Sequence, residues 1–226
     1  MSIQQPGNLF LPVKTIATLT GRVMVFFSTG KDSVCTLDLI SKYLEKEKYD
    51  IVHFYYYKNL SIREKVLQFY ERKIGKQIIR LPHPERAWFF KRMGVKDVKT
   101  RVVINDTEAY LKKQYKCQYV AYGHRLAENL TRRAMLKHVK DGVDRKTERV
   151  YPVLFFKKAH VLGYIEKNRL LLPIDYEYGW HDINVFKGEP LLWLYNNFRE
   201  DYGRIKREFP FIEEDLKKAQ WEISVY

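Results

Sequence analysis

Apolar and polar positions alternate along this chain in blocks. Val23–Phe27 is a continuous apolar run, the polar turn Ser28-Thr29-Gly30-Lys31-Asp32-Ser33 breaks it, and Leu37, Ile40 and Leu44 then recur at helical spacing. The pattern predicts a buried strand over about 22–28 and a helix over about 33–46. Asp50–Tyr57 predicts a second strand, rich in β-formers. A helix follows from Ser61, with Glu64 spaced for a capping box and Ile62, Val66, Phe69 and Tyr70 as its apolar stripe up to Gly75. Gln77–Leu81 reads as a third strand ended by Pro82-His83-Pro84, Glu85–Met93 as a short helix, Asp106–Tyr115 as another helix, and Cys117–Tyr122 as a fourth strand ended by Gly123. A basic break containing Gly142 precedes the apolar run from Arg149, and Lys157–Asn168 reads as a helix. The tail from Lys187 is mostly helical, with Leu191, Leu194, Tyr195 and Phe198 as one stripe and Ile212, Leu216 and Ala219 as a second.

Strands alternating with helices predict an α/β, Rossmann-like fold: a parallel twisted sheet with helices on both faces and a C-terminal helical extension. Ligands of such sheets lie beyond the carboxyl ends of the strands, where Ser28–Ser33, Tyr55–Tyr57, His83 and Gly123–Arg125 are expected to converge. The expected divisions are a lead-in over 1–20, a core over 21–155 and the helical extension over 156–226.

Composition narrows the class. Hydrophobic residues at 46% and aromatics at 15% of 226 residues are ample core material. No apolar run approaches the ~20 residues that span a bilayer, and the start lacks the apolar core of a secretory signal, so a cytoplasmic, non-membrane protein is expected. The formal charge is +14, and Lys58–Arg101 carries +9 of it, with thirteen Lys/Arg against four Asp/Glu. That segment reads either as a solvated basic surface or as a face for nucleic acid or another polyanion. Cys35 and Cys117 are too few for a disulfide framework or a four-cysteine site, and the six histidines show no metal spacing, so neither zinc nor an Fe–S cluster is expected.

The turn after the first strand carries the chemistry. A strand feeding a helix through small residues leaves backbone N–H groups free where the helix dipole favours negative charge. Gly30 admits close approach of a phosphate, Ser28 and Ser33 add hydroxyls, and Lys31 adds a cation. Asp32 beside phosphates is repulsive unless it holds Mg²⁺ or caps the helix. The turn is not a Walker A loop, because Val25 stands in the place of the first glycine and Asp32 follows the lysine. It resembles instead the Ser-x-Gly-x-Asp-Ser loop of the PP-loop ATP pyrophosphatases, the adenine-nucleotide alpha hydrolases.

Two further segments extend the resemblance. Gly123-His124-Arg125-Leu-Ala-Glu128-Asn129-Leu-Thr-Arg132-Arg133, read as the start of a helix, places Arg125, Glu128 and Arg132 on one face, suited to an oxyanion or to a surface ion-pair ladder. It is similar to the second motif of the phosphoadenosine phosphosulfate reductase branch, with Asn129 in the usual Ser place. The run from Tyr151-Pro152 through Tyr164-Ile165, Asn168, Pro173 and Tyr176 to Gly179-Trp180 looks like that branch's third segment. The resemblance implies ATP or phosphoadenosine phosphosulfate with its phosphates on Ser28, Thr29, Gly30, Lys31, Asp32 and Ser33. It also implies adenine near Phe54 and Tyr55, Gly123 and Arg125 at the reacting group, and Asp32 toward Mg²⁺. Arg132 and Arg133 are further candidates for a substrate anion. His124, between Gly123 and Arg125, reads either as a donor or proton shuttle or as a structural residue.

Departures from the family shape the expected activity. Asn184 and Val185 stand where that branch continues Gly-Cys, and no cysteine follows Cys117 in this sequence. Sulfonucleotide reduction needs an attacking thiolate. The expected activity is therefore adenylyl transfer with pyrophosphate release, using Lys31, Asp32, Arg125 and His124. The alternatives are a reductase or sulfur-modification protein whose thiol comes from a partner, and a non-catalytic nucleic-acid-binding module.

Overall fold

The computed structural model describes residues 9–92, 94, 101–178 and 188–224. Gly179-Trp180, His181, Asn184 and Val185 lie outside the described residues. The chain divides into two compact units that are discontinuous in sequence. One unit takes the residues up to Phe54, Phe69–Leu81 and Asn105–Leu172; the other takes Tyr55–Gln68, Pro82–Ile104 and the residues from Pro173.

The first unit is built on the sheet. Its elements are α1 (Leu11–Ala17), β1 (Val23–Phe26), α2 (Lys31–Tyr43), β2 (Tyr49–Tyr55), the end of α3 (Ser61–Ile74), and β3 (Ile78–Pro82). They continue as α5 (Ile104–Tyr115), β4 (Tyr119–Ala121), α6 (Leu130–Leu136), β5 (Val143–Asp144), β6 (Arg149–Val150) and α7 (Lys158–Lys167), with α4 (Arg86–Arg92) lying in the other unit. Among the described residues the strand order is β3-β2-β1-β4-β6-β5. β1 runs parallel to β2 and β4, and β4 parallel to β6. The sequence pattern missed β5, a two-residue edge strand antiparallel to β6, because its ladder is too short to show a period. Central β1 is buried on both faces, with Val23, Met24 and Val25 at 0% exposure, which is why its residues form an unbroken apolar run.

Helix α2 packs against α1 and α7. On it the carboxylate of Asp38 is buried and meets Lys42 at 2.8 Å, Lys73 at 3.0 Å and the Tyr164 hydroxyl at 2.8 Å. Burial by itself would raise its pKa; the hydrogen bonds from Lys42, Tyr164 and Lys73 outweigh that and hold the group below the ordinary carboxylate value.

The second unit gathers α4, the start of α3, and α8 (Gly188–Asn197), α9 (Arg199–Glu208) and α10 (Ile212–Ser224) around Phe90, Leu191, Leu194, Ile205 and Ile212. Here the expected cap of α3 is corrected. Ser61 is the first helical residue, and Asp201 of α9 accepts from its N–H (2.8 Å), from its hydroxyl (2.9 Å) and from the Ile62 N–H (3.2 Å). A carboxylate 140 residues away in sequence thus satisfies the free amides that a local capping box was expected to serve.

The basic segment is extensively ion-paired. Lys73 meets Asp38, Lys76 meets Asp50 at 3.1 Å and Arg80 meets Glu71 at 2.8 Å in the first unit. In the second, Arg63 forks onto Asp175 at 3.1 Å, Arg86 pairs with Glu208 and Arg101 with Glu85. Four of these six cations answer acids outside the segment, and Arg80 and Arg101 answer Glu71 and Glu85 within it, so the local excess of charge overstates the positive surface.

Candidate active site

β1 brings the chain to the carboxyl edge at the centre of the sheet, and the turn beyond it is tight. Thr29 has φ of +66°, a left-handed conformation that is unfavourable for a β-branched residue. Its side chain is fully buried, and Oγ1 has no hydrogen-bond partner. Gly30 is the N-cap of α2 and supplies no side chain to the first amides. The N–H groups of Lys31, Asp32 and Ser33 therefore remain as free donors at the positive end of a 13-residue helix. The Ser33 hydroxyl donates to the Gly30 carbonyl (2.9 Å) and accepts from Ser28 Oγ (3.1 Å), which closes the loop on itself. Strain, an orphaned hydroxyl and open amides in one loop point to a bound oxyanion.

The loop after β4 lies directly on this first turn. A Cβ added to Gly123 would stand 2.9 Å from both Asp32 C and Ser33 N, so glycine is required by the close approach of two backbones. The contact carries Arg125, 4% exposed, to Asp32. Arg125 Nε is 2.7 Å from Asp32 Oδ1, yet neither atom completes a hydrogen bond, so this contact is ionic and misaligned. Nη2 donates to Oδ2 at 3.4 Å and Nη1 to the Phe156 carbonyl at 3.3 Å. Lys31 Nζ lies 3.2 Å from Asp32 Oδ2. One carboxylate thus faces two cations and the helix dipole, leaving a net positive cradle. Asp32 acts as the counter-ion that aligns them.

The arrangement corrects one expectation. Residues 123–129 are not helical, and α6 begins only at Leu130, where Asn129 Oδ1 accepts from the Arg132 N–H at 2.8 Å. Arg125, Glu128 and Arg132 consequently share no helix face. Arg125 turns inward, Arg132 stands 3.8 Å from Glu128, and Arg133 is exposed. Asn129 ends the loop as an N-cap, and its capping bond makes the helix start late.

An aromatic row crosses the first unit's carboxyl edge. Phe54 meets Phe26 edge-on (5.0 Å, 87°), Phe26 meets Tyr122 (5.1 Å, 72°), and Tyr122 stacks on His124 (4.9 Å, 20°), which also parallels Tyr151 (6.1 Å, 24°). The pattern places Phe26 and Tyr122 in strands and Tyr151 in the third family-like segment but does not show that they meet, since an aromatic residue in a strand gives no sign of its neighbours across the sheet. Tyr55, next to Phe54 on β2, points to the opposite face by strand alternation. Tyr56 and His83 stack at 4.4 Å within the second unit. Burial, then Arg132 and Arg149, push the His124 imidazole down to about 4. It is neutral at pH 7, and its Nδ1 is buried without a partner. Both thiols are buried; burial first, then Asp32 and Asp38, pushes Cys35 up to about 12, which leaves it a poor nucleophile.

A nucleotide phosphate fits this donor set: open amides, the Thr29 hydroxyl, Lys31 and Arg125. A resident Mg²⁺ does not fit it, because the loop's carboxylate is already held by two cations, and no cluster of three His, Cys, Asp or Glu side chains occurs among the described residues.

The fold is Rossmann-like and fits the adenine-nucleotide alpha hydrolase class, whose members are nucleotide-binding enzymes. A family model described as the phosphoadenosine phosphosulfate reductase domain matches residues 22–183, and the chain belongs to that family. No curated protein sequence matches it. Among solved structures it is similar to the phosphoadenylyl-sulfate reductase of Candida auris in a phosphate complex (15% identity, 81% of this chain and 96% of that one, TM-score 0.49). It is also similar to the U34-tRNA thiolase NcsA of Methanococcus maripaludis with its 4Fe-4S cluster (13%, 88% and 75%, 0.51). A third similar structure is the FMN adenylyltransferase of Candida glabrata with FAD and inorganic pyrophosphate (13%, 80% and 65%, 0.50). At such identities the likeness to the latter two is one of fold. No helix among the described residues is long and apolar enough to cross a membrane.

Proposed function

We propose that this protein binds ATP or a related adenylate on Ser28–Ser33 and transfers the adenylyl group to an acceptor, releasing pyrophosphate. The supporting observation is the pair of cations, Lys31 and Arg125, sharing the single carboxylate of Asp32 over the open first turn of α2. The acceptor attacks the α-phosphorus, the α–β anhydride bond breaks, and pyrophosphate departs with the bonding electrons while the acceptor's proton passes to solvent. The loop amides and Lys31 hold the leaving phosphates. Arg125 faces the charge gained at the α-phosphate, and neutral His124 offers a ring nitrogen beside it. Phe54 and Phe26 supply an apolar wall for adenine. Catalysis is positional and electrostatic, and loss of one such donor costs roughly 100- to 1000-fold in kcat.

Membership of the reductase family favours a second reading, turnover of phosphoadenosine phosphosulfate with a thiol from a partner, because Cys35 and Cys117 are both buried. Incubation with α-labelled ATP and candidate acceptors is expected to give AMP or an adenylylated product, abolished by Lys31→Ala. Release of ADP alone refutes α-phosphate chemistry; sulfite release from phosphoadenosine phosphosulfate with thioredoxin establishes the second reading instead.

A further inference from the structure

A buried ion-pair cluster adjoins the aromatic row through Tyr122. Glu108, on α5 and 5% exposed, accepts from the Tyr122 hydroxyl and is gripped by Arg149 of β6, Nε to Oε2 at 3.0 Å and Nη2 to Oε1 at 2.8 Å. Arg149 Nη2 also donates to Asn105 Oδ1 at 2.7 Å, and its guanidinium lies 5.7 Å over the Tyr122 ring. Tyr122 in turn stacks on His124. Two elements far apart in the chain, α5 and β6, thus fix a tyrosine by its hydroxyl and its ring, and that ring bears on the imidazole next to Arg125.

A buried ion pair is weak evidence for stability, since well-packed apolar residues often do as well in its place. What it supplies is direction. We propose that Glu108, Arg149 and Tyr122 form a positioning unit that fixes the plane of the His124 imidazole at the phosphate end of the site. The functional purpose rests on the adenylate reading above; the coupling itself does not. The His124 ring lies near-parallel to Tyr122 and, farther off, to Tyr151, and it feels the cations Arg132 and Arg149, with Glu108 as the counter-ion of Arg149. Removing either partner of the ion pair therefore changes the field at His124 in opposite senses.

Proton NMR of the His124 ring, assigned by its loss in His124→Gln and recorded without nucleotide, tests the proposal. In the wild type the ring signals are expected to carry the ring-current shift of the Tyr122 stack, and the imidazole is expected to titrate well below its ordinary value, as its burial and the nearby cations dictate. Arg149→Gln is expected to raise that midpoint by removing a cation. Glu108→Gln is expected to leave it at or below the wild-type value while the ring signals move as the stack loosens. Tyr122→Phe keeps the ring, releases it from Glu108 and moves the same signals; it carries the test if Glu108→Gln does not fold. Unchanged His124 signals in all three variants overturn the proposal. So does a common drift of both charge variants toward the ordinary imidazole value of about 6.5, which marks simple opening of the site. Calorimetry with ATP runs in parallel: wild-type protein that fails to bind ATP overturns the adenylate reading and leaves the NMR result standing.

Discussion

Replacing Gly123 by alanine isolates the contact that brings the two halves of the site together. The new Cβ would stand 2.9 Å from Asp32 C, 2.9 Å from Ser33 N and 3.1 Å from Asp32 O. All three are backbone atoms of the first turn of α2, which is itself pinned by the Val34 N–H to the Gly30 carbonyl at 2.9 Å, so no flexible side chain can yield. Overpacking of this kind costs about 1–3 kcal/mol, and at roughly 2–4 °C per kcal/mol for a chain of this size Tm should fall by about 2–12 °C. Relief of the clash must move the 123–125 loop off α2 and draw Arg125 from Asp32. Displacements near 1 Å in such sites cost up to about 100-fold, so ATP affinity should fall at least tenfold. Gly163 in α7 is the control, because a Cβ there meets nothing within 4 Å. Gly163→Ala should gain about 0.4–1 kcal/mol and leave ATP binding unchanged. Thermal melts and calorimetry read both effects. A Gly123→Ala protein with wild-type Tm and wild-type affinity would refute the backbone contact and the role assigned to it.

Arg125→Ala should lower adenylyl transfer by roughly 100- to 1000-fold, with a stability loss of only about 1–3 kcal/mol because Lys31 still faces Asp32; steady-state kinetics beside urea melts separate the two, and near-normal kcat would contradict the assignment. The buried Asp38 makes stability pH-dependent. Its folded pKa is depressed, so its contribution is complete above the ordinary carboxylate value of 3.8 and is lost as pH falls through the lower folded value. The stability gap between the wild type and Asp38→Asn should therefore be widest near pH 6 and close on acidification in urea melts at successive pH; a gap that stays constant down to pH 3 would show that the ion cluster does not hold Asp38 ionised.

What could be read along the chain was local. The strand, loop and helix at 23–43 are contiguous, and their apolar run, glycine and helical spacing all follow from backbone rules acting over a few residues. The family-like motif at 123–133 was legible as a motif but not as a shape: Asn129 caps α6 at Leu130, and Arg125 gives up the helix face to pair with Asp32. No helical period contains that pairing, because it arises only where β1 and β4 lie side by side and Gly123 lets their loops touch. The same limit hid Glu108, Arg149 and Tyr122, which are unremarkable in sequence and meet through sheet order, and it hid Asp201 at the start of α3. Charge was misleading for a related reason, since four acids that answer the basic 58–101 segment, Asp38, Asp50, Asp175 and Glu208, lie outside it.

The sequence by itself determined the α/β class, the strand, loop and helix at 23–43 and the family, because these rest on local periodicity and on contiguous motifs. The tertiary structure decided that Arg125 meets Asp32, that Arg132 turns to Glu128 instead, and that Tyr122 stacks on His124. Those follow from how the loop after β4 packs on the first turn of α2, which local spacing does not encode.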